Sequence, residues 1–575
     1  MIFGHKHTLL AIFCSLCTDC AAFQSVKFND ASVAITVVRN WIDNNLTVSS
    51  NDSEEIVGEG VSVCIVLRHH GNVIGVGTAS GEHNNPISVA AQIAFLEVKD
   101  NEILSQLKPD IKQDSYSSMS IELELGSKPI PSPHKLFERF AETVNIGIDG
   151  IAVRRGNDWE IRLPAMVRLS PQQDVVNIVS TLCINADFHP ATALAHQLPE
   201  NEDARLYTIP TVTAFQDSFN DVPRELTRGD EIVKSTFFTP KGLRNVADLL
   251  ASHLTVCTID DGNVIGGYQP ETDSLTTLLS SNVVQAMTAC ALEKYAATSG
   301  VSLAKISLEK SSSILNNLAN KFNEQKQPNI AESASIIIAL ASRNNTQDKN
   351  IKELYSLCRD RIVGFSRNLL ESKNITHKPH ELSMAAAAIS AIVLHENNSN
   401  LLPIAEEVCS DCLNRVPSDS MASTIPWIID AVLDLQLHGS EISRQTIIDL
   451  INTALVMQIK GGDDKDLIGG FSLMSNGNNS VDAKGIRMLP SLARLISEDD
   501  SFRSTAIGSL ILCTRFTTQI TTREQKAARF QNPTMSIGGV RSSTWDATMP
   551  TEATAMALIG IIQTINTFQS TTVAK

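Results

Sequence analysis

The sequence predicts a multidomain protein in which an α/β domain precedes an all-helical domain. The chain has 575 residues, more than one domain usually holds. Strand-like and helix-like runs alternate from about residue 30 to 195, whereas nearly every apolar run from about 262 onwards has helical spacing. Hydrophobic residues make up 43% of the chain, which is enough to build packed cores.

Composition and charge exclude two classes of partner. The formal net charge is −16, whereas nucleic acids and anionic membrane surfaces select basic patches. We therefore expect no nucleic-acid partner. After the first residues, no stretch of 18 uncharged apolar residues follows, so we expect no integral membrane segment.

The first residues have the pattern of a secretory signal peptide. A weakly positive start, "HKH", precedes the apolar run "TLLAIFCSLC", and small residues at 20–22 offer a cleavage point before Phe23. The sequence thus predicts a signal peptide over 1–22 and a secreted or periplasmic protein. The alternative is an N-terminal extension with no targeting role.

Residues 30–195 carry mixed signals in a definite order. "ASVAITVVRNWIDNN" predicts a helix, "VSVCIVLRHH" and "NVIGVGTAS" a hairpin, "PISVAAQIAFLEVKD" a second helix, and "SMSIELELGS" a half-buried strand. A further hairpin follows, with Ile151, Val153 and Ile161 predicted to be in the core and Gly150 in or beside a turn. We expect Pro164 to end a strand at a sheet edge.

This order of elements resembles a divergent AMMECR domain. The matching residues of the second hairpin are Gly147, Gly150, Ile151, Val153, Arg155, Gly156, Leu163, Pro164 and Val167. The family's "L-R-G-C-I-G" run is altered here, because Gly75 and Gly77 remain while Ile74 and Val76 replace its Arg and Cys. The resemblance implies an α/β fold, and the departure implies that any reactive group at that position is lost.

Residues 196–261 are predicted to be an ordered connecting segment. "ARLYTIPTVTAF" suggests strands, and "TPKGLRNVADLLASHLTV" is an amphipathic helix. The segment is too apolar for a free linker.

The remaining residues, 262–575, predict an array of helical hairpins. Apolar, small-residue helices begin near 282, 329, 380, 421, 485 and 551. More charged helices begin near 306, 351, 401, 445 and 501. Helices that are apolar on all sides are buried, and amphipathic ones lie outside them. Inner and outer helices are therefore expected to alternate.

A short repeat makes this prediction sharper. Ile-Gly-Gly occurs in "VIGGYQPETDS", "LIGGFSLMSNG" and "SIGGVRSSTWD", about fifteen residues before an inner helix each time. The glycines are Gly266, Gly267, Gly469, Gly470, Gly538 and Gly539. The region resembles the α/α-toroid of the terpenoid cyclase and prenyltransferase-like superfamily, a barrel of about six helical hairpins. That resemblance implies that the three loops share one mouth, with Tyr268, Phe471 and Trp545 around a ligand.

Three chemistries of toroid enzymes can be compared with these residues. No Cys or His accompanies the late acidic residues as in a prenyltransferase zinc site, and "GGDDKDLIGG" lacks the acidic order of a cyclase. Cys409 and Cys412 are interpreted as buried helix-face thiols. We expect no metal and no cofactor. Paired carboxylates of a glycan-cleaving enzyme remain, with candidates Asp482, Asp546 and Glu552, although helix-terminal carboxylates also act simply as caps.

The preferred functional hypothesis is a noncatalytic binding or scaffold protein with a ligand mouth on the helical domain. Both halves resemble families at the level of fold while lacking their reactive residues. The ligand would be an unknown small molecule, glycan or protein. The alternative is a hydrolase or lyase that acts on an extracellular glycan through the three carboxylates, so the sequence leaves open whether the protein is an enzyme.

Overall fold

The computed structural model describes residues 26–49, 61–80, 83, 85–101, 115–170, 174–200, 203–218, 220–324, 327–343, 348–371, 378–416, 420–475 and 478–573. The signal peptide predicted over 1–22 lies outside these residues. The chain divides into two compact units, 1–231 and 232–575. None of the described helices combines the length and apolar character needed to cross a bilayer.

The first unit combines short helices with one antiparallel sheet. Its strands are β1 (Ser62–His69), β2 (Asn72–Ala79), β3 (Ser120–Gly126), β4 (Ile130–Pro131), β5 (Asp149–Arg155), β6 (Asp158–Arg162), β7 (Ala204–Gln216) and β8 (Arg224–Leu226). Its helices are α1 (Phe28–Asp43), α2 (Pro86–Asp100), α3 (Phe137–Ala141), α4 (Pro164–Arg168), α5 (Val175–Asn185) and α6 (Pro190–Ala195). The strand order is β2-β1-β3-β7-β5-β6, with β4 and β8 also paired to β7.

Helices α1 and α2 cover one face of the sheet, and two glycines of β2 explain the close fit of α2. A Cβ at Gly75 would lie 2.4 Å from the carbonyl oxygen of Ala94, and one at Gly77 would lie 1.8 Å from that of Ala90. Only glycine lets the helix backbone approach the strand this closely. Gly75 and Gly77 therefore have a packing role.

Strand β3 differs from its prediction as a half-buried strand. Ile121, Leu123 and Leu125 are buried under α1 and α2, but the alternating Glu122 and Glu124 are also buried. Both glutamates have partners on the other face of the sheet, so their burial is compatible with the general rule that buried polar groups are hydrogen-bonded.

The hairpin of β5 and β6 confirms two of the three predicted core positions; the third, Ile161, is only partly buried and packs against a separate cluster. Ile151 and Val153 are buried beneath α3 and α5, and Gly150 lies at the start of β5 beside a turn. Gly156 forms the hairpin turn with φ +61°. Pro164 comes just after the end of the edge strand β6, as predicted, and it also occupies the first turn of helix α4, where a missing backbone N–H has no cost.

The predicted connecting segment, 196–261, divides between the two units. Its strand β7 lies within the sheet and pairs with both β3 and β5. Its amphipathic helix, α7 (Pro240–Cys257), belongs to the second unit. The division at 231/232 therefore differs from the boundaries predicted at 195 and 262.

The second unit consists of two layers of helices. The outer helices are α7, α9 (Ala304–Glu324), α11 (Lys349–Glu371), α13 (Leu402–Asn414), α15 (Arg444–Leu455) and α17 (Asp500–Ile520). The inner helices are α8 (Asn282–Ala296), α10 (Ile330–Ala341), α12 (Pro379–Glu396), α14 (Met421–Gln436), α16 (Met488–Glu498) and α20 (Thr551–Val573). Short helices α18 (Glu524–Ala527) and α19 (Pro533–Ser536) precede the last inner helix.

The inner helices form a closed ring. Each packs against the next in the order α8, α10, α12, α14, α16 and α20, and α20 packs back against α8. The outer helices pack against the inner ones, which gives an α/α-toroid arrangement of six hairpins. Small side chains allow the close packing; in α12, for example, every residue from Leu382 to Val393 is buried.

Candidate functional site

Three loops of the second unit run from the end of an outer helix to the start of an inner one. They contain the strands β9 (Gly267–Gln269), β10 (Ser274–Thr277), β11 (Ser472–Ser475), β12 (Asn478–Val481) and β13 (Met549–Pro550). Because inner and outer helices alternate around a ring, loops of this kind lie at one end of it. We call that end the mouth.

The loops share one hydrogen-bond pattern, and it corrects the register of the Ile-Gly-Gly repeat. Backbone N–H groups of Gly469 and Gly538 donate to Ile459 and Thr522, both at 2.7 Å. In the first loop the corresponding donor is Gly262, which bonds to Ile259 at 3.0 Å. The residue equivalent to Gly469 and Gly538 is therefore Gly262, and the first "IGG" lies further along its loop.

Close backbone contact explains these three glycines. Each has a positive φ: +82° at Gly262, +97° at Gly469 and +79° at Gly538. A Cβ at these positions would lie within 2.2, 1.8 and 1.8 Å, respectively, of a carbonyl oxygen in the next outer helix. Glycine is thus required both by the left-handed conformation and by the packing.

The three loops meet directly, which confirms that they share one end of the ring. Strand β13 of the third loop pairs with β9 of the first. Asp482, at the end of the second loop, forms an antiparallel bridge with Ser543 of the third. The carbonyl of Ser542 also accepts a hydrogen bond from the backbone N–H of Ala483 at 2.8 Å.

A cavity of about 400 Å³ opens where the second and third loops meet. Its walls come from 482–487, just before α16, and from 542–556, which includes the first turns of α20. Four of the sequence-predicted candidates line it, namely Asp482, Trp545, Asp546 and Glu552. They come from two segments about sixty residues apart in sequence, so the fold is needed to bring them together.

The other two aromatic candidates do not reach this cavity. Tyr268 is 2% exposed, and its hydroxyl donates to Asp273 Oδ1 at 2.6 Å. Phe471 is 1% exposed and belongs to the core of the ring. Neither can contact a ligand without a rearrangement of the loops. Trp545, by contrast, is partly exposed within the cavity wall.

Each of the three carboxylates already has a partner in the protein. Asp482 Oδ1 accepts the backbone N–H of Lys484 at 2.9 Å, and its Oδ2 lies 3.9 Å from the ammonium of Lys484. Asp546 Oδ1 accepts the backbone N–H of Thr548 at 2.9 Å. Glu552 forms an ion pair with Arg487.

Two cations of the cavity, Lys484 and Arg487, were missed at the level of sequence. Both lie in "VDAKGIR", the segment that contains the candidate Asp482. They partly neutralise the three carboxylates, so the cavity is less acidic than the candidates alone suggested. It offers charged hydrogen-bond donors and acceptors beside one indole, a combination suited to a polar ligand.

No metal or thiol chemistry is evident in the part of the chain that the structure describes. No three His, Cys, Asp or Glu side chains are grouped as ligands there. The eight described cysteines are unpaired and buried. Cys409 and Cys412 are buried on α13, which confirms the interpretation of the C-x-x-C pair, and burial raises the pKa of the Cys409 thiol to about 12.

Comparisons with known proteins give no family for this chain. No protein-family model matches it, and no curated protein matches it. An uncharacterized protein from Pyrococcus horikoshii is 15% identical, with a TM-score of 0.26, over 35% of this chain and 97% of its own. A family 76 glycoside hydrolase from a bovine Bacteroides thetaiotaomicron strain is 8% identical, with a TM-score of 0.38, over 78% of this chain and 96% of its own.

Similarities at such low TM-scores identify neither the fold nor the activity of this chain. The resemblance of 30–195 to an AMMECR domain has no support in these comparisons and stays a prediction. The same holds for membership of the terpenoid cyclase and prenyltransferase-like superfamily. The toroid arrangement itself rests on the contacts among the helices.

Proposed function

We propose that the second unit is a binding module whose mouth cavity takes a small polyhydroxyl ligand, of the size of a mono- or disaccharide. One observation carries the proposal: Trp545, three carboxylates and two cations surround a single cavity of about 400 Å³. Ligand pockets of this size commonly combine an aromatic surface with a few fixed polar groups. Carboxylate and guanidinium groups that hold each other in place can accept and donate hydrogen bonds to hydroxyls without rearranging.

Binding is preferred to catalysis because the carboxylates are occupied. A glycosidase needs one carboxyl that keeps its proton and one that stays ionised. Glu552 contacts a guanidinium, Asp482 caps the turn that precedes α16, and Asp546 caps its own loop. All three therefore have structural roles in the mouth.

The test is a titration of the full-length protein with neutral mono- and disaccharides, followed by calorimetry. Trp545→Ala should abolish the affinity, because it removes the stacking surface. Trp159→Phe is the matched control, since Trp159 packs against Tyr207 in the first unit, and it should leave binding unchanged. The proposal is wrong if no saccharide binds, or if Trp545→Ala binds as well as the natural chain.

The alternative, a hydrolase or lyase, has a distinct outcome in the same experiment. Long incubation with oligosaccharides would release new reducing ends or unsaturated products. Glu552→Gln would then stop product formation while the saccharide still binds. The absence of products from a saccharide that binds would favour the binding module.

We also propose that the protein is secreted or periplasmic, with 1–22 as its signal peptide. This proposal rests on the apolar run and the small residues before Phe23. Intact-mass measurement of protein recovered from its native host should give a chain that begins near Phe23. A mass that includes Met1 would contradict it.

A further inference from the structure

A second cavity lies inside the ring, at the end opposite the mouth. Its volume is about 210 Å³, and its walls come from the inner helices α8, α10, α12, α14 and α16. The lining residues lie in the later parts of these helices, whereas the mouth adjoins their beginnings. No outer helix contributes among the described residues, so the cavity belongs to the interior of the ring.

One wall of this cavity carries an excess of carboxylate. Arg494 of α16 donates to Asp434 Oδ1 at 2.6 Å and to Asp430 Oδ1 at 3.3 Å, both on α14. Glu498 also accepts from the same guanidinium, at 3.0 Å. Glu498 does not line the cavity and also lies 3.7 Å from the guanidinium of Arg444. Of the carboxylates that line the wall, Asp430 and Asp434 thus share one guanidinium. Burial raises the pKa of Asp434 although the charges of Arg494 and, more weakly, Lys294 oppose this effect, which indicates a desolvated setting.

The opposite wall carries a cation. Lys294 lies on α8, and α8 stands three positions from α14 in the six-membered ring, directly across it. Its side chain is half-buried. Within the described residues, no carboxylate oxygen lies within 4.0 Å of its ammonium. A partly desolvated ammonium without an ion pair is unfavourable, so an anionic group beside Lys294 would be stabilised.

Apart from Ser342 and His395, the remaining walls are apolar or aromatic. Ile338 of α10 and Leu394 of α12 also line the cavity, and Trp427 lies on α14, the helix of Asp430 and Asp434. A cation close to an indole ring gains additional attraction. The cavity therefore has carboxylates on α14 and an ammonium on α8, with a mainly apolar lining besides.

We propose that this interior cavity binds a small zwitterion of α-amino-acid size. The ligand's ammonium would lie against Asp430 and Asp434, and its carboxylate against Lys294. One water occupies roughly 30 Å³ of liquid, and the cavity volume of about 210 Å³ is several times larger. The cavity therefore has room for a ligand of a few non-hydrogen atoms, such as a compact amino acid. The ligand's own charges match the two walls, so the complex keeps the charge balance of the empty cavity.

The experiment uses the full-length protein and the standard α-amino acids as probes, first by thermal shift and then by calorimetry. At least one compact amino acid should raise the Tm. Its analogues with only one charge, such as ethylamine and propionate in place of alanine, should bind at least about tenfold more weakly, because each leaves one charged wall unpaired. Equal binding of either analogue would overturn the proposal.

Lys294→Met supplies the decisive variant, because the substitution breaks no close ion pair and removes only a longer-range attraction to Asp434. It should weaken amino-acid binding by about tenfold or more while the free protein still unfolds in one cooperative transition. Lys305→Met is the matched control, since Lys305 is 93% exposed on α9. Trp545→Ala should leave this binding intact, which separates the interior site from the mouth. Unchanged affinity in Lys294→Met, or no response to any amino acid, would overturn the proposal.

Discussion

His253 lies on α7 with none of its surface exposed, and its Nε2 is 3.4 Å from the Sγ of Cys257. Burial lowers the pKa of this imidazole from 6.5 to about 4. The folded protein therefore keeps His253 neutral at pH values where the unfolded chain is already protonated. Protonation is thus linked to unfolding of the ring.

The first prediction concerns this histidine and acid stability. As pH falls from about 6.5 to about 4, His253 binds a proton in the unfolded chain but not in the folded protein. The free energy of unfolding therefore decreases over that pH range. The full effect is about 3 kcal/mol. Urea denaturation at several pH values should show this slope in the natural chain and a flatter one in His253→Gln. His83→Gln, a change at an exposed position, should leave the slope as it is; an unchanged slope in His253→Gln would contradict the prediction.

Single residues also show the limits of prediction from sequence. The candidates Asp482, Asp546 and Glu552 were found because acidic residues close to the start of an inner helix can be recognised from the sequence. Arg487 and Lys484 were missed because a cation near a helix start has no such pattern. Glu122 and Glu124 were expected to face solvent, but Glu122 pairs with Arg168 and Glu124 accepts the backbone N–H of Ala165 at 2.8 Å. Alternation along a strand cannot reveal partners that come from distant segments.

At the scale of elements, the sequence repeat correctly predicted that the three mouth loops are related, but it aligned the first loop with the wrong glycine. The loop requires one left-handed glycine against the next outer helix, and in the first loop Gly262 fills that position. The second glycine of the pair is optional, since Asn263 replaces it there. The sequence repeat placed Gly266 in the position of Gly469 and Gly538 instead, because identical residue types do not reveal backbone conformation.

The second prediction tests this requirement. Gly538→Ala should destabilise the protein by roughly 3 kcal/mol or more, because the new Cβ meets the carbonyl of Leu249 in a conformation unfavourable to alanine. Gly461→Ala is the matched control, since it has open space around it and no positive φ. Chemical denaturation measures both. Similar midpoints for the two variants would contradict the role assigned to Gly538.

The third prediction concerns strand β5. Ile151 is 3% exposed and packs in the core beneath α5. Ile151→Asp buries a carboxylate without a partner and should lower the stability of the first unit by about 3 kcal/mol or more. Ile151→Val should cost only about 1 kcal/mol. A thermal transition unaffected by the aspartate would show that this strand is not part of the core.

At the scale of the molecule, each unit has its own hydrophobic core. The large cluster of the ring lies wholly within 243–565, and the clusters of the sheet lie wholly within 31–214. The sequence anticipated this two-part architecture and the starts of eleven of the twelve helices of the two layers. Helix α7 was assigned to the connecting segment, because no inner helix precedes this outer helix in the chain.

The fourth prediction follows from the separate cores. Residues 232–575 expressed alone should fold into a helical domain with a cooperative thermal transition, since a domain with its own core can fold alone. Circular dichroism and calorimetry would measure this. A fragment that begins at 262, and so lacks α7, is the comparison and should be markedly less stable. Aggregation of both fragments alike would contradict the division at 231/232.

Closure of the ring has a consequence for how the protein is made. The last inner helix, α20, packs between α16 and α8 and also contacts α7, so the earlier helices cannot close the ring until α20 has left the ribosome. Until then the ring is open, and the hairpins on either side of the gap expose the apolar surfaces that α20 will cover. Such long-range closure slows folding and exposes chains to aggregation. Synthesis that stalls before α20 is complete should therefore yield chains that depend on chaperones.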